Sequence, residues 1–506
     1  MSGARTGARG GPSPLLIAAA ALAVAAVAVP LVFLLGEAAT APAARMAAAA
    51  ARPGTRSAAV TTAALVAGCV LGSLAVGVPT AVALTRLDLP AHRACRVAAA
   101  LPLAVPSYVA ALAWANLVPL RGYWASVLVL TLVTAPYVTL PTAAALRRAD
   151  TRGEEVARTL GRGPVRAFLT MTGPQIAPAA ASGALLVALY AISEYGVVAI
   201  MRLRTLTPAV QAAFAGGFNR ELAMLLSVLL VAMAMAVVAV ERAVRRPVAA
   251  QRVAAPAPAT ARRGRWAALA ALAAVFAAAV GVPVGLLLAR AGRSVAGGAV
   301  DWPRLAAAAR VTVGLGLGGA AVAIALALPV AMLAARYRGP VASGLETAMY
   351  LAHGLPGIVL GLSMVYLALA LAPGLYQSLG LLVLAYGILF APKALGSARA
   401  ALAQVPPALE DAARTLGRSP AGTWVAVTAR LAWPGIAAGA LLVALTVMKE
   451  LPATLMLRPT GTDTLATRLW QLTDVVAFGE AAPYGLALVA VATVPALLLA
   501  RDGGRR

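Results

Sequence analysis

The sequence predicts an all-α transmembrane protein with about twelve spanning helices in two homologous six-helix halves. Of the 506 residues, 61% are hydrophobic and only 12% are charged, a balance far from that of a soluble domain. Apolar stretches long enough to cross a bilayer recur along the whole chain, and several sequence anchors of the first half return in the second. Lipid is therefore expected to be the main solvent of this protein.

The basic excess of the chain does not indicate nucleic-acid binding. The formal net charge is +25, but the arginines form short clusters between apolar runs, which is typical of the aqueous loops of a membrane protein. Cys69 and Cys95 are too few for a disulfide framework, and His92 and His353 are too few for a metal cage. We therefore expect no metal site and no bound cofactor in this chain, and we interpret His353 as a packed structural residue.

Twelve apolar stretches of spanning length follow one another along the chain. The first stretch follows two arginines and resembles a signal peptide, but it is long enough to be retained as a helix. The stretches lie near 15–36, 57–85, 97–118, 124–146, 176–201, 222–241, 266–289, 309–335, 344–372, 378–398, 432–457 and 481–500.

The segment 242–265 interrupts the apolar pattern. It contains seven arginines and a Pro/Ala-rich stretch, which is the composition of a flexible aqueous linker. It separates a first repeat, residues 1–241, from a second repeat, residues 266–506. Most arginines fall on one side of the membrane when the linker and both termini are placed in the cytoplasm, as the positive-inside rule favours. The sequence thus predicts cytoplasmic termini.

The two halves are direct copies of each other. One set of matching anchors is separated by 250 residues and a second set by 256, so a single six-residue length difference brings both sets into register. Each copy holds six spans, an even number, so corresponding helices keep the same orientation in the membrane. The anchors are Pro106 with Pro356 and 79–86 with 329–336 in the first set, and Pro136 with Pro392 and 157–161 with 413–417 in the second.

A short polar motif lies between the fourth and fifth spans of each half. It reads Glu154-Glu-Val-Ala-Arg-Thr-Leu-Gly-Arg-Gly-Pro164 in the first half and Glu410-Asp-Ala-Ala-Arg-Thr-Leu-Gly-Arg-Ser-Pro420 in the second. The helix dipole favours acidic residues at a helix start, small alanines permit close approach, and glycine permits a sharp reversal before proline starts the next helix. The motif predicts a short cytoplasmic helix that docks against a partner.

This motif resembles the EAA-type cytoplasmic loop of the permeases of ATP-binding-cassette (ABC) importers, which have a MetI-like fold. In that family the loop forms a coupling helix that sits in a groove of the ATPase subunit. Val156 stands where the first alanine is usual, and Asp411 replaces the usual glutamate. The resemblance implies a coupling role for Glu154, Glu155, Ala157 and Gly161 in the first half, and for Glu410, Asp411, Ala412, Ala413 and Gly417 in the second.

The chain is expected to be a non-catalytic transport subunit without catalytic residues. Its only lysines, Lys393 and Lys449, lie outside any Gly-Lys-Ser/Thr phosphate-binding loop, so ATP and Mg²⁺ are expected on a separate cytoplasmic ATPase. Two coupling loops imply two ATPase copies per chain. The resemblance also implies an extracytoplasmic substrate-binding protein, which we expect to dock near 202–220 and 458–480.

One acidic residue lies deep in the fifth span of each half. Glu194 and Glu450 are 256 residues apart, each about 24 Å along its helix and nearer the outer surface. An acid in this position needs a polar cavity or a partner. It either lines or gates the transport pathway, or it holds the helices in register through hydrogen bonds or a neighbour such as Lys449. Lys393 and Glu346 are expected at cytoplasmic span ends, where snorkelling is cheap.

Over nearly its whole length the sequence is similar to the fused, twelve-span permeases that carry ferric iron in bacteria. The residues behind this similarity are Ser193-Glu-Tyr-Gly196, Leu203-Arg-Thr-Leu-Thr207, Lys449-Glu-Leu-Pro452 and Asp463-Thr-Leu-Ala-Thr-Arg-Leu-Trp470. The resemblance implies ferric iron as cargo and an inner (plasma) membrane location. Thiamine, a polyamine or another small solute stays open, because in such systems the binding protein selects the cargo. An ion-gradient-driven carrier can also have two six-span halves, but twin docking loops would have no partner there.

Overall fold

The computed structural model describes residues 11–150, 152–216, 219–244, 262, 264–351 and 354–502. Regular structure in these residues is helical throughout, which confirms the all-α prediction. The first repeat forms α1 (Pro14–Thr40), α2 (Ala43–Ala51), α3 (Pro53–Arg86), α4 (His92–Ala100), α5 (Ser107–Leu117), α6 (Tyr123–Leu146), α7 (Arg152–Thr159), α8 (Pro164–Ala167), α9 (Gly173–Ser193), α10 (Gly196–Ile200), α11 (Leu206–Gln211) and α12 (Arg220–Val244). The second repeat forms α13 (Arg265–Phe276), α14 (Val282–Ala296), α15 (Trp302–Arg336), α16 (Pro340–Leu351), α17 (Gly357–Leu371), α18 (Leu379–Ala403), α19 (Pro407–Thr415), α20 (Pro420–Thr423), α21 (Arg430–Met448), α22 (Pro452–Leu457), α23 (Leu465–Asp474) and α24 (Phe478–Asp502).

The described helices are consistent with the predicted spans. Nine of them are long and apolar enough to cross a membrane. A further pair, His92–Ala104 and Ser107–Leu117, bends by 91° and makes a tenth if the two helices are counted as one span. The stretches predicted near 344–372 and 481–500 correspond to shorter apolar helices, Gly357–Leu371 and Phe478–Thr493. The former is short because proline at position 356 starts a new helix within the stretch. His353 lies outside the described residues.

The sequence duplication is repeated in the order and length of the helices. The long helices α3 and α15 have 34 and 35 residues and end at Arg86 and Arg336. After each polar motif the chain contains a π-helical segment, Phe168–Thr172 in the first repeat and Trp424–Ala429 in the second. Such segments often mark functional positions, because the extra residue re-aims the side chains around it.

The helices form two compact units that exchange their first helices. One unit combines 37–309 with 463–493, and the other combines the chain up to Gly36 with 310–462 and the C-terminal end. The unit of the first repeat thus also contains α13, α14, α23 and most of α24, and the other unit contains most of α1. The units therefore differ from the sequence repeats 1–241 and 266–506. Most of the predicted linker 242–265 lies outside the described residues.

Contacts within each unit show how the exchanged helix is held. In the unit of the first repeat, the Trp114 indole N–H donates to the Ala278 carbonyl oxygen at 3.1 Å, between α5 and the segment that joins α13 to α14. In the other unit, Leu16 of α1 and Leu328 of α15 line the same recess. The apolar face of each opening helix is therefore partly covered by the core helices of the other repeat.

Candidate coupling sites and intramembrane acids

The two polar motifs form short helices, α7 and α19, that end in the same backbone geometry. Gly161 and Gly417 both have φ of +83°. In α7 the amide of Arg162 donates to the Ala157 carbonyl and that of Gly161 donates to the Arg158 carbonyl, both at 3.0 Å. This pair of bonds is the Schellman arrangement. A side chain at this φ costs about 1–2 kcal/mol, so glycine is the residue that permits the reversal in both motifs.

Each of these two candidate coupling helices divides the predicted coupling residues between a buried face and an exposed face. Glu154 and Ala157 are buried in α7, as are Glu410 and Ala413 in α19. The exposed face carries an apolar side chain just before the glycine, and Leu160 is 77% exposed. The exposed face also includes Glu155 and Val156 in the first motif. The corresponding residues of the second motif are Asp411, Ala412 and Leu416.

The buried acid of α7 is bound to two transmembrane elements. Glu154 Oε2 accepts a hydrogen bond from Thr172 Oγ1 at 2.8 Å and lies 3.5 Å from Arg86 Nη2. Glu154 Oε1 accepts a bond from Arg158 at 3.1 Å. Arg86 is the last residue of α3, and Thr172 is the last residue of the π-helical segment before α9. We name Arg86, Glu154 and Thr172 the first clamp.

The second motif repeats this arrangement with shorter bonds. Glu410 Oε1 accepts bonds from Arg336 Nε at 3.0 Å, Arg336 Nη2 at 2.6 Å and Thr428 Oγ1 at 2.8 Å. The Arg336 side chain is 13% exposed, against 27% for Arg86. We name Arg336, Glu410 and Thr428 the second clamp. Charge-assisted bonds in a half-dry setting are strong, so each clamp fixes its coupling helix to the spans of its own unit.

The arginines and threonines of the clamps were not predicted as functional residues. Arg86 and Arg336 end the anchors 79–86 and 329–336, and Thr172 and Thr428 share the 256-residue offset of the motifs. The available signal was a charged residue kept at the end of an apolar span in both copies. It was not sufficient, because an arginine at a span end is common on the cytoplasmic side of membrane proteins.

Glu194 lies at the break between α9 and α10 and is buried. Its Oε1 accepts a bond from the Val197 amide at 2.9 Å, and its Oε2 accepts a bond from Ser107 Oγ at 3.0 Å. Ser107 is the first residue of α5. The carboxylate therefore satisfies donors at the starts of two helices, a position in which negative charge is favoured.

Glu450 occupies the corresponding break between α21 and α22. Its oxygens accept bonds from the amides of Ala453 at 2.8 Å and Thr454 at 2.9 Å, and from Thr454 Oγ1 at 2.6 Å. A β-carbon on Gly357, the first residue of α17, would lie 2.8 Å from Glu450 Oε1. Glu450 therefore also lies beside two helix starts, but it is partly exposed where Glu194 is buried.

These bonds give both acids a structural role within their own repeats, and the pathway or gate role stays a prediction. Glu346 forms an ion pair with Arg399, which lies four residues before the end of α18, in keeping with a position near a span end. The prediction for Lys393 was wrong. It lies in the middle of α18, fourteen residues after Leu379 and ten before Ala403, because the helix continues beyond it in small residues.

Comparison with known proteins agrees with this geometry. The family described as "Binding-protein-dependent transport system inner membrane component" matches residues 327–501. The Fe(3+)-transport system permease protein FbpB 2 of Haemophilus influenzae is 30% identical over 446 residues, which cover 85% of this chain and 86% of that protein. The molybdate/tungstate transport system permease protein WtpB of Thermococcus kodakarensis is 32% identical over 133 residues, 26% of this chain and 53% of that protein.

The long alignment, the family match and the duplicated coupling helices point to the same conclusion. An ABC importer permease is a non-catalytic, multi-pass inner-membrane subunit, and it works with an ATPase and a substrate-binding protein. The chain belongs to the binding-protein-dependent transport system permeases, as the membrane-spanning component of an ABC importer.

Proposed function

We propose that this permease imports ferric iron, with one ATPase docked on each coupling helix. The alignment with a ferric-iron permease over 85% of the chain carries the proposal for the cargo. The alignment with a molybdate/tungstate permease covers only 26% of the chain and supports the transport class more than the cargo. Iron is accordingly the first cargo to test.

The presence of two docking surfaces supports two ATPase copies. Leu160 and Leu416, which directly follow α7 and α19, are 77% and 84% exposed. An exposed leucine beside acidic residues is suited to an apolar pocket with a polar rim on a partner protein. Because the same surface occurs on α7 and α19, each offers one docking site. We expect a purified complex with two ATPase chains per permease chain, and a ratio of one to one would contradict this part of the proposal.

The orientation in the membrane follows from the same helices. The ATPase is cytoplasmic, so the proposal puts α7 and α19 on the cytoplasmic side. The twelve spans predicted from the sequence, an even number, and the positive-inside rule support cytoplasmic termini. The extracytoplasmic binding protein then docks near 202–220 and 458–480. The long exposed apolar faces, such as Leu22 and Leu71, contact membrane lipid. No nucleic acid takes part.

Uptake of labelled ferric iron tests the cargo. The measurement compares cells that lack the gene with complemented cells under iron limitation, with labelled thiamine and molybdate in parallel. We expect iron uptake to be lost and restored while uptake of the other two is unchanged. Unchanged iron uptake with loss of thiamine or molybdate uptake would keep the permease and reject iron. Uptake that persists without a co-purifying ATPase would instead favour an ion-gradient-driven carrier.

A further inference from the structure

The only two lysines of the chain lie together inside the membrane part of the second repeat. Lys393 is in the middle of α18, and Lys449 directly follows α21. Lys393 Nζ donates a hydrogen bond to Thr446 Oγ1 at 2.9 Å, and Lys449 follows Thr446 by about one helical turn. Positive charges in this position are costly unless they face water, an anion or other polar groups.

The side chains of Lys393, Thr446 and Lys449 are accessible at the surface of the second repeat. Lys393 is exposed, and Thr446 and Lys449 are each partly exposed, although α18 and α21 are both long apolar spans. Lys393 lies on the side of α18 that contacts α21, because it bonds to Thr446. Because an ammonium group in lipid is costly, we expect a lysine that is held toward a neighbouring helix beside a hydroxyl to face water and not lipid.

The first repeat keeps the same contact with different chemistry. Tyr137 and Tyr190 stand 256 residues before Lys393 and Thr446, and their ring centroids are 6.1 Å apart. Ser193 stands where the second repeat has Lys449. A neutral pair is therefore enough to hold the two helices together. The positive charge is specific to the second repeat and requires a reason other than packing.

We propose that Lys393, Thr446 and Lys449 form an anion-binding site, which we name the station. Its ligand is an oxyanion, either a phosphate or a carboxylate group of the cargo complex. Two ammonium groups and a hydroxyl supply several donors and two positive charges, which suit an oxygen-rich anion. The proposal rests on the proposed transport of iron. Bare ferric ion would be repelled by the two lysines. Because Fe³⁺ is a hard cation that prefers oxygen ligands, it can reach this site bound to an oxyanion. Iron passes this point as an oxyanion complex.

Acetylation of the lysines tests the station independently of transport. The complete transporter is treated with an amine-acetylating reagent in phosphate, citrate or chloride at equal ionic strength, and modification at positions 393 and 449 is followed by mass spectrometry. We expect an oxyanion to slow acetylation of both lysines several-fold relative to chloride. Protection by phosphate alone or by citrate alone would identify the anion class. Equal acetylation in all three salts would overturn the proposal.

Transport by charge variants provides the second test. We expect K393Q and K449Q to lower iron uptake about tenfold each, the loss expected when a charged hydrogen bond to the cargo is removed. The charge-conserving controls K393R and K449R should retain most of the uptake, and all four variants should retain the ATPase. Parental uptake by the K393Q/K449Q double variant would contradict the station. If the parental protein fails to import iron, the cargo proposal fails, while the acetylation result still decides whether the anion binds.

Discussion

The two clamps use the same residue types at corresponding positions of the two repeats, yet they differ in tightness. Arg336 binds Glu410 through two nitrogens at 3.0 and 2.6 Å, whereas Arg86 approaches Glu154 through one nitrogen at 3.5 Å and Glu154 shares its charge with Arg158. A better buried pair with two short charge-assisted bonds resists separation more than a long single contact. The second coupling helix is therefore the more rigid connection, and the first permits more movement.

Removal of the acid from each clamp should reveal the largest difference in stability between the two clamps. Glu410→Ala leaves the nearly buried Arg336 without its carboxylate, which costs about 3–5 kcal/mol for a buried pair. Glu154→Ala should cost less, about 1–2 kcal/mol, because Arg86 is better hydrated and the contact is longer. Thermal unfolding of the purified protein and ATP-driven uptake measure both effects. Equal losses in the two variants would show that the clamps are equivalent.

The glycines of the two motifs should respond equally, since their geometry is the same. Gly161→Ala and Gly417→Ala each place a side chain at φ of +83° and should cost about 1–2 kcal/mol. We expect ATP hydrolysis to continue while transport falls, because the reversal that orients each helix is strained. Gly163→Ala is the matched control, as its φ is −60° and its surroundings are open. Normal transport by the Gly161/Gly417 double variant would reject the assignment of these loops to coupling.

Substitution of the clamp threonines should have the smallest effect, and it compares what the threonine contributes to each clamp. Thr172→Val and Thr428→Val each remove one hydroxyl that donates at 2.8 Å to the clamp acid. The expected cost is about 0.5–1.5 kcal/mol, with the larger loss in the first clamp, where the threonine holds Glu154 more closely than Arg86 does. Unfolding temperatures of the two variants measure this order. A larger loss for Thr428→Val would mean that the threonine strengthens the arginine–glutamate ion pair. It would contradict the view that the threonine compensates for a weak ion pair.

Much of the fold followed from hydropathy and duplication, because the length of an apolar run and a repeated motif are local features of the chain. The clamps join residues 68 and 74 positions apart, and the exchange of opening helices depends on contacts such as that of Trp114 with Ala278, 164 positions apart. No periodicity reports such pairings. Lys393 was misplaced for a related reason, since an apolar span does not reveal which of its faces meets water.

We infer that the ATPase docks on the exposed faces of α7 and α19. The most direct measurement is co-purification of the ATPase with the Leu160→Asp and Leu416→Asp double variant, with each single variant as an intermediate. We expect about half the ATPase with each single variant and none with the double variant, while thermal unfolding stays at the parental temperature because both leucines are exposed. Parental amounts of ATPase on the double variant would contradict the claim.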